Sequence, residues 1–377
     1  VFLLNELILL SPLAVYTYVR IVRLFAHKAS KIIFTAAFIL LLVAFPIAES
    51  LSHHSGGDWT KNFIIAGYDS LPLLLYLVLT VVLMDMVIGA GRLLRLISGE
   101  TVRSAAFRFA RLFASLIIPA LIVIAGIVNF HWLRVKEYSV GVPRKESSLS
   151  RLTIAFAADF HIGAITDRRF MEKFVAKVNA VDPDIVLIGG DILEGDRRDE
   201  DTGRYESAFR RLRSKFGVYA VPGNHEGHGG NRGEFFKRAG IRLLEDAVER
   251  IDDAFYLAGR SDAHSRNRKA VADLLRDTPD DLPVILLDHR PTDLENVSRT
   301  IVDIQFSGHT HDGQLFPVNW ITAHEYELSW GYLKKGRTHF FVTSGVQLWG
   351  PPVRTAGASE ILVVRVAFRD RGKEGAR

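Results

Sequence analysis

The sequence predicts a multi-domain protein: an N-terminal four-helix transmembrane bundle followed by a C-terminal α/β domain of two packed β-sheets flanked by helices. Three observations predict it. Four apolar runs, at 2–19, 32–48, 71–91 and 112–132, each approach the roughly 20 residues a helix needs to cross a hydrocarbon layer. After residue 151 the pattern changes to short apolar, β-rich runs alternating with helical spacing. Those short runs end, one after another, in carboxylates, amides and imidazoles.

The chain has 377 residues, too many for one ordinary domain, and its 48% apolar and 24% charged residues exclude a disordered polymer. A mean hydropathy of +0.14 is high for a soluble enzyme, and the excess sits in residues 1–133. The absence of cysteine excludes disulfides, zinc–thiolate sites and cysteine nucleophiles. The net charge of +5 would suit nucleic acid, but the basic residues of the first third flank the apolar runs. The later chain has no long basic stripe, so no nucleic-acid partner is expected.

The four runs lack the polar stripe that a 3.6-residue period leaves on a soluble helix. The first has no basic flank before it and no small-residue site after it, which argues against a cleaved signal peptide. The first connection carries Arg20, Arg23, Lys28 and Lys31, and the third carries Arg92, Arg95, Arg103, Arg108 and Arg111 against Glu100. The second carries Glu49, Asp58 and Asp69 against Lys61. An excess of positive charge marks the cytoplasmic side, so the first and third connections face the cytoplasm. The expected location is a bacterial cytoplasmic membrane, multi-pass, with the C-terminal domain on the extracytoplasmic side. Arg134, Lys136, Arg144 and Lys145, after the fourth run, point the other way. Asp85 lies inside the third run; the preferred reading is a carboxylate near the cytoplasmic end, reached by water or Arg92. His53 and His54 read as solvated.

Residues 134–151, polar with Gly, Pro and Ser, read as a juxtamembrane linker; 152–367 form the α/β domain and 368–377 a polar tail. Strands are expected at 152–158, 184–188, 218–221, 284–287, 304–307, 339–343 and 361–366, with helices at 168–181 and 205–215. There is no internal repeat.

Five of these strands lead into polar residues: Asp159-Phe160-His161, Gly190-Asp191, Gly223-Asn224-His225, Asp288-His289 and Gly308-His309-Thr310-His311. The carboxyl edge of an α/β sheet is where ligands bind. A mixed O and N donor set without sulfur suits Mn, Fe or Zn. The donors are too many for one catalytic metal that must keep an open position, so two are expected, with Asp191 able to bridge them. In extended backbone, residues i and i+2 point to one side, which would let Asp159 and His161 share a metal and aim His309 and His311 together.

This ordered series resembles the calcineurin-like metallophosphoesterase superfamily over about residues 150–367. The stretches Val221-Pro222-Gly223-Asn224-His225-Glu226, Ser307-Gly308-His309-Thr310-His311 and Gly350-Pro351-Pro352-Val353-Arg354 are similar to its bacterial membrane-associated branch. The resemblance implies one ion, Mn favoured, held by Asp159, His161, Asp191 and His311, and a second held by Asp191, Asn224, His289 and His309. It also implies His225 as the histidine that contacts the phosphoryl oxygen or protonates the leaving group. Asp288-His289-Arg290-Pro291 and Asp312 depart from the commonest pattern.

The expected chemistry is phosphoester hydrolysis by a hydroxide bridging two divalent ions, with Asp191, Asn224 and His225 central to catalysis. The expected partners are the lipid bilayer and a lipid or lipid-linked phosphate; the sequence carries no signal on oligomeric state. Arg290 and Arg354 are candidate phosphate clamps and His228 a candidate substrate contact. Glu194 and Asp196 read as solvated loop acids, and His264 and His339 as surface or packing residues. Trp320, His324, Tyr326, Trp330 and Trp349 form an aromatic cluster suited either to a core or to a membrane interface. Two alternatives remain at this point: the same chemistry on a soluble nucleotide or other phosphoester, and a membrane sensor whose metal site is structural.

Overall fold

The computed structural model describes residues 2–52, 58–163, 165–194, 202–226 and 232–369. Its contacts divide the chain into two units, Val1–Val128 with Gly350–Thr355, and Asn129–Trp349 with Ala356–Arg377.

The first unit is helical: α1 (Phe2–Val22), α2 (Lys28–Ser52), α3 (Asp58–Leu93), the short α4 (Gly99–Arg103) and α5 (Ala105–His131). Three segments are long and apolar enough to cross a membrane, Lys28–Ser52, Thr60–Leu93 and Ala105–His131. The first expected span is helical as α1, but it is not among those three, so the described residues support three spans where four were expected. With 36 residues, α3 runs well beyond the expected 71–91. At 1.5 Å per residue it is about 54 Å long, against a hydrocarbon layer of about 30 Å.

Burial in this unit is inverted relative to a water-soluble fold. Ile32, Ile33 and Leu40 of α2 and Leu121, Ile124 and Val128 of α5 face outward. The inside is a small cluster around Ile21, Phe38, Leu74, Leu77, Val78 and Val81. Asp85 sits in a charged knot and not beside Arg92. It accepts from Arg20 Nε at 2.5 Å and Arg20 Nη2 at 2.7 Å, from Arg111, and from the Tyr16 hydroxyl at 2.5 Å. Arg20 and Arg111 belong to the two basic connections named above, so charges from both neutralise this half-buried carboxylate.

The second unit contains two six-stranded sheets. One has β1 (Arg134–Pro143), β2 (Arg151–Ala157), β3 (Ile185–Ile188), β4 (Val218–Ala220), β5 (Arg242–Leu243) and β12 (Glu360–Arg369), in the order β1-β12-β2-β3-β4-β5. The other has β6 (Ala247–Ile251), β7 (Phe255–Gly259), β8 (Val284–Leu287), β9 (Ile304–Ser307), β10 (Gly331–Lys335) and β11 (Thr338–Val342), in the order β10-β11-β9-β8-β7-β6. The inner faces form one core: Ile154, Phe156, Leu187 and Val364 meet Leu257, Leu287, Phe306 and Phe341. The Phe156 and Phe306 rings are 4.9 Å apart across it.

Outside the first sheet lie α6 (Arg168–Val181), α7 (Thr202–Phe209) and α8 (Arg232–Ala239), packed through Met171, Phe174, Tyr205, Phe209 and Phe236. Outside the second lie α9 (Val271–Leu274) and α10 (Leu294–Ser298), through Val271, Leu274, Leu294 and Val297. α11 (Val318–Glu325) follows β9 and precedes β10. Strands β2, β3, β8 and β9 have apolar cover on both faces, and this is why they read as unbroken apolar runs.

The expected linker is corrected. Residues Arg134–Pro143 form an edge strand parallel to β12, in register from Arg134↔Glu360 to Pro143↔Arg369. Its alternation is diluted: Tyr138, Val140 and Val142 turn to the inter-sheet core while Glu137 and Ser139 are exposed. Lys145 is equally structural. Its Nζ donates to Leu282 O at 2.8 Å and to buried Asp303 at 2.9 Å. The expected helix at 205–215 is shifted to Thr202–Phe209. Described structure ends at Arg369, so most of the expected tail lies outside the described residues.

Candidate metal centre

Parallel pairing of β2, β3 and β4, and of β8 and β9, brings the carboxyl ends of strands from each sheet to a common edge. The loops leaving those ends carry the polar residues singled out in the sequence. Three groups there offer donor atoms within 4.8 Å of one another: Asp159, His161 and His311; His161, Asp191 and His225; Asp191, His289 and His309. Asp191 belongs to two of them.

The local backbone departs from the extended geometry expected. Asp159, His161, Asp191, His309 and His311 all have positive φ, at 60°, 42°, 51°, 72° and 49°. Left-handed backbone costs a non-glycine residue about 1–2 kcal/mol, and such strain gathers at functional sites. It also separates the two histidines of the last motif. His309 turns to Asp191 and His289, and His311 to Asp159 and His161, so they do not aim together. Glycines allow the close approach. Gly190 has φ +94°, and a Cβ there would lie 2.7 Å from Gly223 N; a Cβ on Gly223 would strike Asp191 Oδ1.

Hydrogen bonds orient the donors. His289 Nδ1 lies 2.7 Å from Gly189 O, a carbonyl that can only accept, so this nitrogen carries the proton. Nε2 then faces Asn224 Oδ1 at 3.2 Å and Asp191 Oδ2 at 3.1 Å. Two oxygens and a ring nitrogen thus converge where a cation would satisfy them all. On the other side, His161 Nε2 stands 3.2 Å from His311 Nε2 and 3.9 Å from Asp191 Oδ2. Asp191 Oδ1 accepts the His225 backbone N–H at 2.9 Å, and Asp159 accepts that of His309 at 3.1 Å.

Electrostatics point the same way. Burial opposes charge on His161, but its bond to Glu194 and the fields of Asp191 and Asp159 outweigh it and raise its pKa to about 9. His289 is likewise resisted by burial, yet Asp191 and Asp159 lift it to about 10. His309 is pushed down to about 3 by burial, then by His289 and Arg290. Burial raises Asp159 to about 6. Asp191 is held well below the carboxylate range, because His289 and His161 overcome its own burial. Carboxylates and imidazoles packed this closely favour positive charge among them. A donor set of that kind fits divalent metal.

Two residues that sequence reasoning misjudged or passed over complete the centre. Glu194, read as a solvated acid, is half-buried against two histidines. Its Oε2 lies 2.7 Å from His161 Nδ1 and its Oε1 3.0 Å from His225 Nδ1. An isolated bridge between Ile162 and Leu193 holds it there. Burial opposes its charge, but bonds to His161 and His225 bring its pKa to about 2. The available signal was its place three residues after Asp191. Glu226, quoted within the motif but given no role, accepts the backbone N–H groups of Asp191, Ile192, Leu193 and Gly223 at 2.9, 2.5, 2.9 and 2.7 Å. It pins the loop that carries Asp191 to the loop that carries Asn224.

The proposed substrate contacts fare differently. Arg290 donates to Asp262 at 3.1 Å and to His264 Nδ1 at 2.9 Å, and His264 is an exposed surface residue, as expected, that partners this arginine. Arg354 is fully buried within Gly350–Thr355, the segment that belongs to the helical unit, and its backbone N–H donates to Gly126 O. That burial contradicts an open phosphate clamp. His228, His53, His54 and Asp196 lie outside the described residues. The departures from the common motif are structural. Asp288 is buried between Arg260 at 2.7 Å and Arg268 at 2.6 Å, and Asp312 occupies a left-handed position at φ 50°. The aromatic cluster splits: Trp330 donates to Glu360 at 2.6 Å, Tyr326 lies 6.3 Å from the His309 ring, and Trp320 and His324 are exposed.

Residues 152–313 match the family model for calcineurin-like phosphoesterase. An uncharacterized metallophosphoesterase of Campylobacter jejuni is 30% identical over 261 residues, 67% of this chain and 68% of that protein. A transmembrane protein with metallophosphoesterase domain from Danio rerio is 30% identical over 284 residues, 70% of this chain and 63% of that protein. An uncharacterized metallophosphoesterase of Helicobacter pylori is 29% identical over 241 residues, 62% of this chain and 64% of that protein. The chain thus spans a little under two thirds of the last two relatives. It belongs to the calcineurin-like metallophosphoesterase family.

Proposed function

We propose that this chain is a membrane-anchored phosphoesterase that uses two divalent cations, Mn²⁺ favoured, to hydrolyse a lipid or lipid-linked phosphate ester. The observation that carries this reading is the position of Asp191, shared between two converging donor groups on the edge where the two sheets meet. Asp159, His161, Asp191 and His311 would hold one ion, and Asp191, Asn224, His289 and His309 the other. Bound there, divalent ions supply an acidified water and offset charge on the phosphoryl oxygens.

The chain's own groups supply the rest. With Nδ1 of His225 held by Glu194, Nε2 is the nitrogen left to give a proton to the departing oxygen. Asn224 offers a neutral amide where a carboxylate would reduce the pull on an anionic phosphate. Glu226 holds both loops in register and so sets the spacing of the donors.

Three apolar helices and the transmembrane relative support a membrane location, and the charge pattern of the connections supports a bacterial cytoplasmic membrane with this domain outside. A lipid-borne substrate follows from a phosphoester centre tethered to a bilayer. The test is a substrate panel on the purified full chain with Mn²⁺, with an Asp191→Ala control. Micellar lipid phosphates are expected to turn over faster than nucleotides and short-chain esters. Equal rates would move the substrate to the soluble class, and no metal-dependent turnover on any phosphoester would end the reading. A reporter fused at the C-terminus checks the side.

A further inference from the structure

Large apolar side chains of the second unit are almost all buried. Among its described residues beyond 133, the exposed ones are Phe316, Val318, Trp320, Ile321 and Tyr332. Four of those five fall within six consecutive positions, at 45%, 37%, 66% and 68% exposure. They lie on and just before α11, a helix with no buried residue. An eight-residue helix is marginal in water unless a face packs against something. Among the described residues, the helix buries no side chain in the cores of its unit. The Phe316 and Trp320 rings pack edge to face at 5.0 Å, so the patch is a preformed surface.

The patch is also built into the metal-ligand edge. His311 begins the turn that leads into it, and a Cβ on Gly313 would lie 2.6 Å from the Asn319 backbone. Beyond the helix the chain returns Tyr326 to within 6.3 Å of the His309 ring. The helix is therefore bracketed by two contacts with the candidate centre.

We propose that Phe316, Val318, Trp320 and Ile321 form an interfacial anchor that enters the headgroup–acyl boundary of the lipid bilayer and holds the metal-ligand edge against it. The bilayer is the occupant because the same chain carries three segments able to cross one, which keep this domain tethered to lipid. Trp and Phe beside aliphatic residues are the side chains that favour that boundary. The surrounding charge is mixed: Glu327 is paired with Lys335 at 2.7 Å, and Lys334 and Glu325 flank it, which suits a zwitterionic surface. The anchor rests on the membrane part of the proposed function and not on its chemistry.

The test uses the absence of cysteine. The full chain carrying Ile321→Cys, or separately Trp320→Cys, is labelled with a nitroxide and reconstituted in phosphatidylcholine nanodiscs. Ser207→Cys, on an exposed position of α7, serves as the aqueous reference. Collision rates with oxygen and with a water-soluble nickel chelate are read by power saturation. At 320 and 321 the oxygen-to-nickel ratio is expected to exceed that at 207 about tenfold, as for a group moved from water into lipid. A ratio equal to that at 207 would overturn the anchor. Protection from both reagents would overturn it too, and would assign the patch to a protein contact. The measurement needs no turnover, so an inactive preparation leaves it standing, and an active one whose labels stay aqueous removes the anchor alone.

Discussion

Asp85 and Asp191 are both carboxylates drawn away from bulk water, and the molecule neutralises them in opposite ways. Asp85 is closed by Arg20 and Arg111, whose guanidinium groups never give up their protons. Asp191 is surrounded by His161, His225 and His289, which can. The first arrangement is complete as it stands and has no use for a metal. The second holds positive charge only as exchangeable protons and so can trade them for divalent ions. A buried acid becomes a metal site through what its neighbours can release, and not through burial itself.

Removing each carboxylate should separate the two cases. Asp191→Ala takes a donor from both groups, and metal-dependent turnover is expected to fall by at least about 10³-fold. Elemental analysis should find bound metal reduced, while the chain still folds; full metal content in an inactive variant would break the shared-ligand reading. Asp85→Ala should do the reverse. It leaves two arginines facing each other, at a cost of about 3 kcal/mol, read as a lower unfolding midpoint in detergent. Bound metal should not change.

Glu194→Gln tests how far the histidines depend on fixed charge. It keeps the shape but removes the anion between His161 and His225. A 10- to 100-fold loss of kcat is expected, as for groups that orient metal ligands. The loss should be larger for esters with poor leaving groups, which need the proton that His225 is placed to give. An equal loss for good and poor leaving groups would assign Glu194 to the His161 side alone.

Proton competition gives a smaller effect. In the metal-free centre His161 titrates at about 9 and His289 at about 10, both raised. Below those values each ring holds a proton that an incoming ion must displace. Metal affinity at each group should therefore fall about tenfold per pH unit on going down from about pH 9. Titration calorimetry in buffers of different ionisation heat would count the protons released; none released would mean that the rings bind no metal.

Much of this contrast was legible in the residue order, and the exceptions have physical causes. Asp159, His161, Asp191, Asn224, His289, His309 and His311 were legible because parallel strands must deliver their ends to one edge. The split of His309 to one group and His311 to the other, which the family resemblance implied and extended-strand spacing did not, follows from left-handed backbone. Glu194 looked like a solvated acid because a single isolated bridge, and no regular element, positions it. β1 was hidden by its edge position, where one face is polar and the other only half-buried. The Asp85 knot joins three helices, and the sequence shows only that both signs of charge are present.

Asp312 supplies the control for the comparison, and the smallest expected effect. It is a third carboxylate, adjacent to ligand candidate His311, yet it belongs to none of the converging groups. Its backbone is left-handed at φ 50°, ψ 39°, a conformation that Asp tolerates and Gly adopts freely. Its Oδ1 meets the Ser329 hydroxyl at only 3.4 Å. Asp312→Gly removes the carboxylate's contacts, that one among them, and relieves the backbone, so the two changes oppose each other. Bound metal and turnover should stay within about twofold, and stability within about 1 kcal/mol. If metal content fell as it does for Asp191→Ala, proximity to the histidines alone would suffice to make a ligand, and the distinction drawn from Asp85 and Asp191 would no longer hold.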